Sequence, residues 1–143
     1  MISGSDRSGD RADRSGKTIL IVEDDDLNMK LLHDLLEMRG YRTLQSRSGR
    51  EAIDTVRSQY PDLILMDIQL PDMSGLEVTR IVKEDPKLRH IPVVAVTAYA
   101  LSTDEERIRA GGCDGYLSKP ISIDGFLWTV AGFVGTPAGC DAL

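Results

Sequence analysis

Residues 18–26 read Thr-Ile-Leu-Ile-Val-Glu-Asp-Asp-Asp, four aliphatic side chains in a row running without a break into four acids. A short unbroken apolar run is what a strand buried on both faces requires, and the acids mark the point where it leaves the core. The pattern returns twice: residues 62–66, Asp-Leu-Ile-Leu-Met, lead into Asp67, and residues 91–96, Ile-Pro-Val-Val-Ala-Val, lead into Thr97. Weaker strand signals lie at 41–45 and around Tyr116 and Leu117. Helical patterns separate them. Leu27, Leu31, Leu32, Leu35 and Leu36 form one apolar stripe that stops at Gly40, a residue suited to ending a helix. Ala52, Ile53 and Val56 mark a second helix, 76–82 a third, 103–110 a fourth and 123–133 a fifth. Strict alternation of strand and helix predicts an α/β fold, a doubly wound parallel sheet with right-handed crossovers and helices on both faces. Such a sheet carries its site at the carboxyl ends of the strands, where the strand order reverses.

Length and charge narrow the functions further. At 143 residues and 41% hydrophobic, the chain has the size and composition of one folded domain. Residues 1–16, rich in Ser, Gly, Asp and Arg, are expected to be a flexible tail, 17–135 the domain, and 136–143 a short extension. Arg7, Arg11 and Arg14 balance Asp6, Asp10 and Asp13 in the tail, so the formal charge of −6 belongs to the rest of the chain. That acidity argues against binding to nucleic acid or to anionic lipid. With no apolar run long enough for membrane insertion and no secretory leader, a cytoplasmic protein is expected. Cys113 and Cys140 lack the spacing of a zinc site or a disulfide framework and read as free thiols.

Glu23-Asp-Asp-Asp26 follows the first strand, Asp67 the third, Thr97 the fourth and Lys119-Pro120 the fifth. Singly, each has a structural explanation: Asp25 or Asp26 as a helix cap, Asp67 as a turn former, Thr97 by strand propensity, Lys119 as solvated surface. Jointly they place carboxylates, a hydroxyl and an ammonium in one crevice. Clustered carboxylates cannot all ionise in a low-dielectric cleft without a compensating cation. Hard oxygen donors select Mg2+ or a similar ion, with one or two carboxylates bound directly. Asp24 and Asp67 are the candidate direct ligands, with Glu23 holding a coordinated water and a loop carbonyl completing the set. A metal and a lysine beside a carboxylate suit phosphoryl transfer, with Asp67 as nucleophile.

Four motifs in this order, residues 21–25 (Ile-Val-Glu-Asp-Asp), 65–71 (Leu-Met-Asp-Ile-Gln-Leu-Pro) with Gly75, 96–98 (Val-Thr-Ala) and 116–120 (Tyr-Leu-Ser-Lys-Pro), resemble those of the response-regulator receiver family. The resemblance spans roughly residues 17–134 and implies a flavodoxin-like (βα)5 sheet of strand order 2-1-3-4-5. It implies that Asp67 is the phosphoacceptor of a two-component phosphorelay, that Glu23 and Asp24 are the acidic pair, and that the main-chain carbonyl of Gln69 is a further Mg2+ ligand. Thr97 and Ala98 would bind the phosphoryl group with Lys119, Tyr116 would be the aromatic switch, and Lys119-Pro120 would be a cis peptide. Gln69 would tune phosphoryl lifetime; Tyr99, two residues past Thr97, reads from its position either as a second lifetime-tuning residue that screens attacking water or as a simple packing residue. The implied partners are a sensor histidine kinase or histidine phosphotransfer protein, and a downstream protein bound by the fourth helix, fifth strand and fifth helix. Two departures from the commonest pattern are small: Glu23 stands where Asp is usual and Leu70 where Met is frequent.

Other readings are weaker. An aspartyl phosphatase needs an acid two residues after its nucleophile, where this chain has Gln69. A flavin carrier needs a hydroxyl- and glycine-rich first loop in place of acids. A phosphorylation-independent interaction module of the same fold is the remaining alternative. His33 reads as solvated surface, His90 as a loop residue before the fourth strand, Cys113 as a small packed residue, and Trp128 as core or helix-face packing.

Overall fold

The structure, a computed structural model, describes residues 17–98 and 102–135. Strands and helices alternate as β1 (Thr18–Val22), α1 (Asp26–Met38), β2 (Arg42–Ser46), α2 (Gly49–Gln59), β3 (Leu63–Asp67), α3 (Gly75–Glu84), β4 (Val93–Thr97), α4 (Ser102–Ala110), β5 (Gly115–Ser118) and α5 (Ile123–Val134). The five strands are parallel in the order β2-β1-β3-β4-β5. The chain therefore winds outward from β1 to β2, then reverses through β3 to β4 and β5. The switch point lies between the carboxyl ends of β1 and β3.

Period-two alternation along the central strands explains why their sequences are apolar throughout. Leu20, Val22, Ile64, Met66, Val93 and Ala95 face a core with Ala52 and Val56 of α2, Val78 and Val82 of α3 and Ile108 of α4. Ile19, Ile21, Leu63, Leu65, Val94 and Val96 face a second core with Met29, Leu32 and Leu36 of α1 and Phe126 and Val130 of α5. Helix starts are capped as physical chemistry requires: Asp25 accepts from the Asn28 N–H, Ser48 from Glu51, Ser74 from Leu76 and Ser122 from Gly125.

Several expectations are corrected. The buried stripe of α1 is Met29, Leu32 and Leu36, whereas Leu27 is 78% exposed and Leu31 also faces solvent. Leucine content alone had suggested a stripe too wide, and the sheet-facing line includes Met29. Asp67 and Thr97 are the last residues of β3 and β4, not the first residues beyond them, because ladder pairing extends through both. His33 is half-buried and its Nδ1 lies 2.7 Å from Thr43 Oγ1, so it ties α1 to β2 in place of being merely solvated. Trp128 is 80% exposed, on the side of α5 opposite Phe126 and Val130. Cys113 is buried as expected, 3.8 Å from Thr79 Oγ1, and burial raises its thiol pKa. His90 is exposed in the loop before β4. Cys140 and Tyr99 lie outside the described residues.

Candidate functional site

The end of β1 delivers Glu23, whose N–H donates to Ser46 O (3.0 Å) and so prolongs the pairing with β2. Its side chain is buried at 1% exposure, while Asp24, one residue on, is exposed. Asp67 at the end of β3 is 5% exposed. Carboxylate oxygens of Glu23, Asp24 and Asp67 all lie within 4.8 Å of one another. From β5, Lys119 brings its ammonium to 3.4 Å from Glu23 Oε1 and 3.5 Å from Asp67 Oδ2. Its backbone is held by an N–H donated to Thr97 O (2.8 Å), and Lys119-Pro120 is cis. Thr97 is buried at the end of β4, and Ala98 is exposed beside it. Tyr116 on β5 is half-buried against the core that α2, α3 and α4 cover.

One lysine faces two buried carboxylates, and the balance is visible at Glu23. Its pKa is raised to about 7, first by burial, then by a hydrogen bond to Asp67 and by the charge of Asp67; Lys119 and the Asp25 N–H oppose the rise. In the metal-free state, a proton on Glu23 relieves the repulsion. A divalent cation would relieve it without the proton, and the donor set, three carboxylates and no nitrogen or sulfur, fits a hard ion.

The loop after β3 shapes the other wall. The Gln69 N–H donates to Asp67 Oδ1 (3.1 Å), the Gly75 N–H to Ile68 O (2.8 Å), and Gln69 and Ser74 form an antiparallel bridge. Gly75 is required by close approach, since a Cβ there would sit 2.2 Å from Asp67 O. The tip of this loop contributes two residues that sequence reading passed over. Asp72 accepts hydrogen bonds from the Gly49 N–H (2.8 Å) and Arg50 N–H (3.0 Å) at the start of α2, and Met73 packs on Gly49. No local signal marks a contact across 22 or 23 residues, although an acid following Pro71 and a Gly opening a helix are both suggestive.

Fold and site together define a doubly wound α/β protein with a cation-suited acidic crevice at its switch point, a buried aspartate on β3 and a lysine opposite. Residues 19–130 match the response regulator receiver domain model, and the chain belongs to that family. It is 60% identical over 119 residues to the polar-differentiation response regulator DivK of Brucella ovis, covering 83% of this chain and 97% of the relative. DivK of Brucella anthropi is 59% identical over the same span. The receiver domain of a sensor histidine kinase from Pseudomonas aeruginosa, solved with magnesium coordinated in its active-site cleft, superimposes with a TM-score of 0.78 at 32% identity, over 85% of this chain and 99% of that one. A histidine-kinase receiver domain from Syntrophus aciditrophicus gives 0.78 and 32% over 90% and 97%. The protein is thus a response regulator of the two-component type. Among the described residues no helix is long and apolar enough to cross a membrane.

Proposed function

We propose that Asp67 accepts a phosphoryl group from a histidine kinase or histidine phosphotransfer protein, and that the acyl phosphate alters binding of a downstream protein. The observation that carries this reading is a carboxylate buried at the end of β3 with an ammonium at 3.5 Å and two further carboxylates beside it. An oxygen of Asp67 attacks phosphorus in line; the bond from phosphorus to the donor imidazole nitrogen breaks and the imidazole leaves. Lys119 Nζ, already facing Asp67 Oδ2, stabilises charge on the transferring oxygens. Glu23, Asp24, Asp67 and the Gln69 carbonyl are the residues that would hold Mg2+, which supplies charge neutralisation at the phosphoryl oxygens when bound. Thr97 and Ala98, at the end of β4, would donate to the phosphoryl group from its hydroxyl and main-chain N–H.

Residues 17–135 act in this reading as one cytoplasmic receiver unit that supports its own phosphorylation and dephosphorylation without turnover on other substrates. Tyr116 is the aromatic whose position answers Thr97. Gln69, two residues past the acceptor, tunes lifetime, and Tyr99, two residues past Thr97 in sequence, is assigned the same role from its sequence position alone. Trp128, exposed on α5, supplies apolar surface to a partner face built from α4, β5 and α5. The test is incubation with acetyl phosphate and Mg2+, read by intact mass. Wild type should gain one phosphoryl group and Asp67→Asn none. Equal labelling of both would overturn the assignment.

A further inference from the structure

The tip of the β3–α3 loop is fastened to a helix that takes no part in the acidic crevice. Both carboxylate oxygens of Asp72 are used, Oδ1 by the Gly49 N–H at 2.8 Å and Oδ2 by the Arg50 N–H at 3.0 Å. These are the first two amides of α2, and the helix's own cap, Ser48, takes the third, from Glu51. Asp72 therefore supplies from another element what the first turn lacks. The two backbone N–H groups hold its carboxyl below the usual carboxylate range. Steric fit locks the same junction: a Cβ on Gly49 would lie 2.4 Å from Met73 Cγ and 2.8 Å from its Sδ. Between this anchor and Asp67 the chain passes through Gln69, whose N–H is bound to Asp67 Oδ1.

A loop fastened at both ends holds its intervening carbonyls in place. We infer that Asp72 is a positioning residue for the cation site: by docking the loop on the N-terminus of α2 it fixes the main-chain carbonyl of Gln69 relative to Asp67. This rests on the assignment of Glu23, Asp24, Asp67 and Gln69 as the site that holds Mg2+. Asp72 itself touches no ligand.

The experiment compares Mg2+ affinity by isothermal titration calorimetry for wild type, Asp67→Asn, Asp72→Ala, Asp72→Asn and Ser48→Ala. Removing a residue that orients a metal ligand weakens affinity by about 10-fold or more, and that loss is expected for Asp72→Ala. Asp72→Asn keeps one acceptor and should fall between the two. Ser48→Ala removes a cap from the same helix without touching the loop, so its Mg2+ affinity should equal that of wild type even though it is less stable. Wild-type affinity in Asp72→Ala, or an equal loss in Ser48→Ala, would reduce Asp72 to a helix cap and overturn the inference. Should Asp72→Ala fail to fold, Asp72→Asn decides in the same way, with unchanged affinity counting against. The site assignment fails separately, and the inference with it, if wild type binds no Mg2+ or Asp67→Asn binds it as wild type does.

Discussion

Glu23 is the residue at which the cost of the site can be measured. Its carboxyl is buried beside Asp67 with one lysine to share, and in the metal-free protein its pKa rises to about 7. An unfolded chain would titrate it near 4.5. Between these values the folded state holds the extra proton, so stability from this group is fully present below the unfolded value and is lost as pH rises through about 7. A shift of this size corresponds to about 3 kcal/mol. In EDTA, wild type should therefore lose stability relative to Glu23→Gln as pH is raised from about 5 to about 8, read from urea midpoints. Parallel pH curves for the two proteins would refute the coupling. Saturating Mg2+ should flatten the difference, because the cation favours the ionised carboxylate that the proton otherwise neutralises.

At the scale of elements, the joint between β3 and α3 transmits the most. Gly75 opens α3 against the main-chain oxygen of Asp67, with room for no side chain. Gly75→Ala must push either the strand end or the first turn of α3 aside. A cost of about 1–3 kcal/mol is expected from such overpacking, together with slower labelling of Asp67 by acetyl phosphate; a variant with wild-type unfolding and labelling would show that the joint yields freely. The glycine stood out in the sequence beside the β3 motif, as did the alternation of strands and helices, since apolar runs ending in acids have few other solutions in a parallel sheet. What stayed hidden depends on direction and distance. Five leucines on α1 could not reveal that Met29, and not Leu27, faces the sheet, and Trp128 reads as core until α5 is seen to bury Phe126 and Val130. The acidic set was legible because each member closes a strand, whereas the Asp72 anchor joins residues with no pattern in common.

For the whole molecule, the site's weakness is also the route by which a ligand stabilises the fold. Glu23 and Asp24 are neighbours in sequence, but Asp67 joins them only when β1 and β3 are paired. The unfolded chain therefore lacks the site, and a cation held there binds the native state alone. Free Mg2+ at 100 times its dissociation constant should add about 2.7 kcal/mol to stability. For a domain of this size that is a rise in Tm of roughly 10 °C. The formal charge of −6 brings a competing effect, because any salt screens repulsion across an acidic surface. Thermal unfolding in EDTA with NaCl at the ionic strength of the MgCl2 sample separates the two. Wild type should gain the full shift only with Mg2+, and Asp67→Asn should gain far less, since it loses a ligand from the middle of the set. If NaCl reproduces the shift, or Asp67→Asn responds as wild type does, the stabilisation is screening over the surface and the three carboxylates do not act together as a cation site.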